Sequence, residues 1–116
     1  FAASAWVKGD VGYDNKIYIA AGYRSADEAA AAAIKACGDA TSRPCEIDSL
    51  AGNGFIQVYR VDGNHNATSE SSTKRAKEAA QASCKKHKAK SCELQAQFDS
   101  RKPGLFVHAF GALKAP

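Results

Sequence analysis

The sequence predicts an α+β domain: one mostly antiparallel sheet of about six strands with two alanine-rich helices on one face, internally duplicated and stapled by two local disulfides. Three observations carry that expectation. Cys37 and Cys45 are separated by seven residues, and so are Cys84 and Cys92. A shift of 47 positions overlays Ser25 on Ser72, Ala29 on Ala76, Ala32 on Ala79, Ala33 on Ala80 and Glu46 on Glu93 as well as the cysteines, seven identities between Ser25 and Glu46. Helical and strand-like patterns then alternate along each copy. At 116 residues the chain has the size of a single domain, 1–116, with repeats at about 6–52 and 53–112.

The elements follow in order. Ile17 to Tyr23 is a β-rich run that ends at Ser25-Ala26-Asp27-Glu28, an S-x-x-E capping box in which the serine bonds the Glu28 N–H. The helix it opens runs to about Cys37 and is expected to stop at Gly38. Glu46 and Asp48 alternate on a strand expected to turn that face to water, and Gly52-Asn53-Gly54 makes the next turn. Phe55 to Val61 is apolar on both faces and should be central. Asp62 to Asn66 is a polar turn holding His65, and Ser69 to Thr73 offers N-caps for a second helix through Ala76, Ala79, Ala80 and Cys84 to about His87. Glu93 to Phe98 alternates with Leu94, Ala96 and Phe98 inward, the pattern of a half-buried antiparallel strand. Lys102-Pro103-Gly104 turns into Leu105 to Phe110, a second run apolar on both faces and expected to be central.

Composition excludes several classes. Hydrophobic residues make up 45% and charged residues 24%, which argues against disorder, collagen and coiled coils. No apolar run reaches the roughly 20 residues that cross a bilayer. There is no methionine, and Ala3-Ser4-Ala5 has the A-x-A form cut by signal peptidases, so a processed, exported chain is expected; a flexible leading arm is the alternative for these residues. A seven-residue gap fits zinc ligands poorly. Cys84-Lys85-Lys86-His87 is the one metal-like spacing, and Lys85, Lys86 and Lys88 would repel a cation, so neither metal nor cofactor is expected. Two disulfides, Cys37 to Cys45 and Cys84 to Cys92, imply an oxidising compartment, the periplasm or the extracellular space. Each closes a nine-residue ring and stabilises by ~2.6 kcal/mol in the loop-entropy model.

An aromatic-started strand, a G-Y-R-S turn at Gly22 to Ser25, the helix A-A-A-A-A-I-K-A-C ending at Cys37, a second cysteine soon after and a terminal F-G-A-L from Phe110 together carry a resemblance. The chain resembles the small exported bacterial proteins of domain of unknown function 4189. Where those begin W-G-A, this chain has Trp6-Val7-Lys8. The resemblance implies export and disulfides and brings no activity or catalytic residues.

Catalytic constellations are sparse. His65, His87 and His108 are the histidines; no G-x-S-x-G elbow and no phosphate-binding glycine loop occurs, so no enzyme is expected. His108, between Phe106 and Phe110, reads as a packed or rim histidine, and Glu46 with Asp48 as an ordinary wet face. Asn66-Ala67-Thr68 matches a glycosylation sequon that means nothing in a bacterial chain.

The charge is unevenly shared. The net charge of +4 is the sum of −2 up to His65 and +6 from Asn66 onward. Lys74, Lys77, Gln81, Lys85 and Lys88 recur at helical spacing opposite the alanine face, with Arg75, Lys86 and Lys90 nearby, and form either a solubilising helix surface or a site for an anionic partner. No aromatic residue interrupts Lys74 to Lys90, so nucleic acid is disfavoured and a protein with an acidic surface is expected. The function these features suggest is a non-catalytic exported binding domain of the inhibitor or immunity type, blocking a secreted effector or cell-wall hydrolase through Lys74, Lys77, Lys85, Lys86, Lys88, Lys90 and the turn residue Asn53. The alternatives are a secreted effector or toxin, and a binder of an anionic polymer or nucleic acid.

Overall fold

A computed structural model of the chain describes residues 1–9, 13–61, 64–70, 78, 81–82, 84–85 and 92–110. The elements are β1 (Ala2–Val7), β2 (Lys16–Ala21), α1 (Ala26–Thr41), β3 (Cys45–Ala51), β4 (Phe55–Val61), β5 (Asn64–Glu70), β6 (Cys92–Asp99) and β7 (Gly104–Ala109).

The strands form two antiparallel sheets rather than one of six: a first sheet in the order β3-β1-β2-β7 and a second in the order β5-β4-β6. The alternation along β2 gives the reason. Ile17, Ile19 and Ala21 point to one side and Tyr18 and Ala20 to the other, all of them buried, so the first sheet must be covered twice. Helix α1 covers one face, where Ala29, Ala33 and Cys37 meet Ala3, Ala5, Val7, Tyr18 and Ala20. Alanine on both surfaces brings the helix close to the sheet. The second sheet covers the other face, where Ile56 and Val58 of β4 meet Ala2, Ile17, Ile19 and Ala51, with Ala96 and Phe98 of β6 packed at the margin. Each fully buried isoleucine or valine in this layer contributes roughly 1.5–3 kcal/mol.

Ala3-Ser4-Ala5 lies inside β1, paired on both sides, and all three residues are completely buried. A flexible arm is thereby excluded for them. Small side chains suit this strand because the helix lies directly above it.

Helix α1 has the expected N-cap: Ser25 Oγ accepts the Glu28 N–H at 3.1 Å. It passes through Gly38 to Thr41. Ser42, at φ 56, takes the left-handed capping position and donates its N–H to the Gly38 carbonyl at 2.8 Å. The Thr41 hydroxyl bonds the Cys37 carbonyl at 2.8 Å, which steadies the added turn. The disulfide Cys37–Cys45 then ties the last turns of α1 to the first residue of β3. Cys84 is disulfide-bonded as well, and the side chain of Cys92, its expected partner, lies outside the described residues. Of the predicted second helix, Glu78, Gln81, Ala82, Cys84 and Lys85 are helical; the rest of 71–91 lies outside the described residues, so one helix, not two, is defined end to end. No helix among the described residues is long and apolar enough to cross a membrane.

Two further differences concern strands. The polar stretch assigned to a turn around His65 begins β5, which pairs along its whole length with β4. Its sequence, Asn64 to Glu70, shows no apolar alternation; backbone pairing to β4 holds it as a strand, with Ala67 packed against the core. β7, expected to be central, is the end strand of the first sheet.

The second sheet has the strand order of three strands of the first. The order β6-β4-β5 reproduces β3-β1-β2, and the pair Val61 with Cys92 matches the pair Val7 with Cys45. Each sheet carries one bulge at the same point of its ladder, between Ser4 and Ala5 in the first and between Val58 and Tyr59 in the second.

Candidate functional site

The residues singled out for partner binding are distributed as follows. Asn53 is exposed at the turn between β3 and β4, in the left-handed region at φ 53. Lys85 is helical and exposed. Lys74, Lys77, Lys86, Lys88 and Lys90 lie outside the described residues, as does His87.

The feature that sequence reasoning placed wrongly is β7. Register with β2 sets Leu105 opposite Ala20 and Val107 opposite Tyr18, so both side chains lie on the face that α1 covers elsewhere. The helix packs on β1, β2 and β3 and stops short of β7. Leu105 and Val107 are consequently 59% and 57% exposed. Phe110 donates its N–H to the Asn15 carbonyl at 2.9 Å. Hydrogen-bonded pairs alternate in an antiparallel ladder, so the bonds to β2 come from His108, Phe106 and Gly104, and the N–H and C=O groups of Leu105, Val107 and Ala109 point outward. Among the described residues nothing pairs with that outer edge. No charged residue or proline interrupts β7, although natural edge strands are commonly protected by one or the other.

Beside this edge a cleft of 390 Å³ is lined by Phe55, Gln97, Phe98, Asp99, Lys102 and Phe106. Phe98 of β6 and Phe106 of β7 meet across the two sheets, ring centroids 5.4 Å apart. Gly104 makes room for the Phe106 ring, since a Cβ there would come within 2.7 Å of its Cζ. At the rim Arg101 bonds Asp99 through Nε at 2.9 Å and Nη2 at 3.1 Å, and lies over the Phe55 ring at 5.7 Å. The guanidinium holds the Asp99 carboxyl below the usual carboxylate range. Lys102 is exposed beside them. Aromatic floor, polar rim and open edge together suit an apolar side chain carried on an extended backbone.

His108 is fixed from the second sheet. Its Nε2 lies 2.9 Å from Gln95 Oε1, the Gln95 amide donates to the Phe110 carbonyl at 3.2 Å, and the ring meets Phe110 edge-on at 5.6 Å. Partial burial lowers its pKa and favours the neutral ring. Strand alternation places Gln95 with Glu93 and Gln97 on the side facing water; the structure corrects this, because the bulge in β6 leaves Gln95 over between Leu94 and Ala96 and turns it to His108.

Asp48 corrects a second expectation. It is not on a wet face: the bulge between β1 and β3 leaves it unpaired between Ile47 and Ser49, with Oδ2 buried and without a partner. Burial pushes its pKa up to about 6. The Ser4 and Ser49 hydroxyls draw it back down, while Glu46 adds repulsion. Ser4 Oγ and Ser49 Oγ are 2.7 Å apart, and Ser4 Oγ also accepts the Ser49 N–H at 3.1 Å. Among the described residues no histidine is shown hydrogen-bonded to Asp48 or to the two serines beside it, and its place in the first sheet is read as structural.

Comparison with known proteins returns a family match over residues 6–98, to the family described as Domain of unknown function (DUF4189). No curated protein and no solved structure matches. The match runs from Trp6 in β1 to Phe98 in β6, spanning α1, its disulfide and both sheets except β7. The chain therefore belongs to the DUF4189 family.

Proposed function

We propose that this protein is a non-catalytic, exported binding domain of the inhibitor or immunity type, which engages another protein through the β7 side of the first sheet. One observation carries the reading: Leu105 and Val107 stand uncovered on a sheet face whose neighbouring strands are sealed by α1. An edge of this kind is costly to leave exposed unless something covers it. The disulfide Cys37–Cys45 supports export, because such bonds persist in oxidising compartments. It also holds the frame rigid, which lowers the ordering cost of association.

The test uses a Leu105→Asp, Val107→Asp double variant, expressed for export beside the native protein in the native host. Proteins retained by the native chain and lost by the variant are identified, and the interaction is rebuilt from purified components. The expected result is one partner that binds the native chain at least about 30-fold more tightly and, if it is a hydrolase or effector, loses activity on addition of the native chain alone. Equal binding by both forms would remove β7 from the reading, and activity of the purified domain itself on cell-wall or protein substrates would replace it with the effector alternative.

A further inference from the structure

We propose that the outer edge of β7 is completed by an antiparallel β-strand of the partner, an extended segment with alternating apolar side chains and an acidic residue at its C-terminal end. This deepens the reading of the protein as a binding domain and rests on it.

The side chains of Leu105 and Val107 offer too little area for a flat interface, which typically needs about 800 Å² per partner. The missing affinity has to come from main-chain bonds, and β7 presents them. The outward N–H and C=O groups of Leu105, Val107 and Ala109 recur at every second residue, the repeat that an added strand satisfies. The pairing direction follows from the sheet, in which every described neighbour is antiparallel.

Side chains of the added strand would alternate between two places. One set would lie beside Leu105 and Val107 on the face left open by α1. The other would reach the Phe98–Phe106 pair at the mouth between the sheets. Both places are apolar, so both sets are apolar or β-branched. An antiparallel strand brings its C-terminal end to the beginning of β7, beside Lys102. Asp99 there is already paired with Arg101, which leaves the Lys102 ammonium as the charge facing the newcomer. At the other end of β7, Lys16 stands opposite Ala109 on β2, on the side of β7 away from the open edge. The acidic preference therefore belongs to one end only.

The probe is a capped seven-residue peptide of alternating threonine and valine ending in aspartate, with its asparagine-ended and alternately N-methylated versions as controls. Binding to the full chain is followed by amide chemical shifts. The expected result is saturable binding below about 1 mM, shifts centred on Leu105, Val107 and Ala109, and at least a tenfold loss for the N-methylated peptide. Val107→Pro removes an outward N–H without touching the ladder to β2, and should cost a similar factor while circular dichroism stays native. Lys102→Gln should weaken the aspartate peptide about threefold and leave the asparagine peptide unchanged. No binding, or binding indifferent to N-methylation, would overturn strand addition. If the double aspartate variant still loses a protein partner in that case, the binding-domain reading survives alone; if peptide binds and no protein partner is ever lost, strand addition survives alone.

Discussion

Asp48 and Gln95, 47 positions apart, are the same residue of two sheets: each is the one left over where a bulge interrupts the ladder, in β3 against β1 and in β6 against β4. The side chain released by the bulge is polar in both cases and reaches into the space between layers. In the first sheet it meets Ser4 and Ser49; in the second it crosses to His108 and the Phe110 carbonyl. Bulges re-aim side chains while preserving pairing on either side; the Asp48 contact stays within the first sheet, and the Gln95 contact joins the second sheet to the first.

Asp48 makes stability depend on pH in the direction opposite to a salt-bridged carboxylate. Its folded pKa, about 6, is above the unfolded value of 3.8, so the folded state binds the extra proton between those values. Stability then falls as pH rises through that window. Asp48→Asn should flatten the decline and raise stability at pH 7 by about 1–2 kcal/mol, less than the full shift would give because the carboxyl keeps some contact with water. Urea midpoints at pH 4.5 and pH 7 for both proteins check this; an unchanged difference would show that Asp48 is not the group responsible.

Gln95→Ala should release His108 and the Phe110 carbonyl together. The expected loss is about 1–2 kcal/mol, with the His108 pKa, followed by NMR titration, moving upward toward its ordinary value as water enters. A pKa that stays low would mean that the surrounding aromatic residues, not the glutamine, keep the ring dry.

Reducing or replacing the Cys37–Cys45 bond (Cys37→Ser with Cys45→Ser) should cost ~2.6 kcal/mol and lower Tm by about 10 °C. The fold itself should persist, because the ring is of short sequence separation and the core between the two sheets contains neither cysteine; Cys37 is buried between α1 and the first sheet, so its serine adds to the cost there. Calorimetry of the double variant against the oxidised protein gives the number.

Gly22→Ala should be among the most damaging single changes. Gly22 sits at φ 81, and a Cβ there would fall 2.3 Å from Pro103 Cα, a backbone atom with nowhere to go. A loss of about 3 kcal/mol or more is expected, against about 1 kcal/mol for removing the helix cap by Ser25→Ala. Comparable denaturation midpoints for the two variants would show that the Gly22–Pro103 approach can relax.

Much of this architecture could be read from residues alone, because its causes are local. Ser25 and Glu28 lie three apart and therefore cap a helix wherever it is placed. Cys37 and Cys45 are near enough along the chain to pair without knowledge of the fold. Gly52-Asn53-Gly54 turns for reasons contained in those residues; the alternation read from Leu94 to Phe98 is interrupted by the bulge at Gln95. Strand order and bulge position coincide between β3-β1-β2 and β6-β4-β5, a likeness that lies in the backbone ladders.

What tertiary structure alone decided was which apolar faces find a cover. Ile17 and Leu105 belong to equally apolar runs, yet Ile17 is sealed between a helix and a second sheet while Leu105 stands at the end of the row. Hydrophobic pattern records that a face is apolar; it does not record how many strands lie beyond it or how far a helix of sixteen residues can reach. For the same reason β5, polar except for Ala67, is a strand because β4 supplies its hydrogen bonds, and Asp48 is half-buried because a bulge turns it inward. Burial is a property of neighbours, and the neighbours that leave β7 open are set by the assembled sheets.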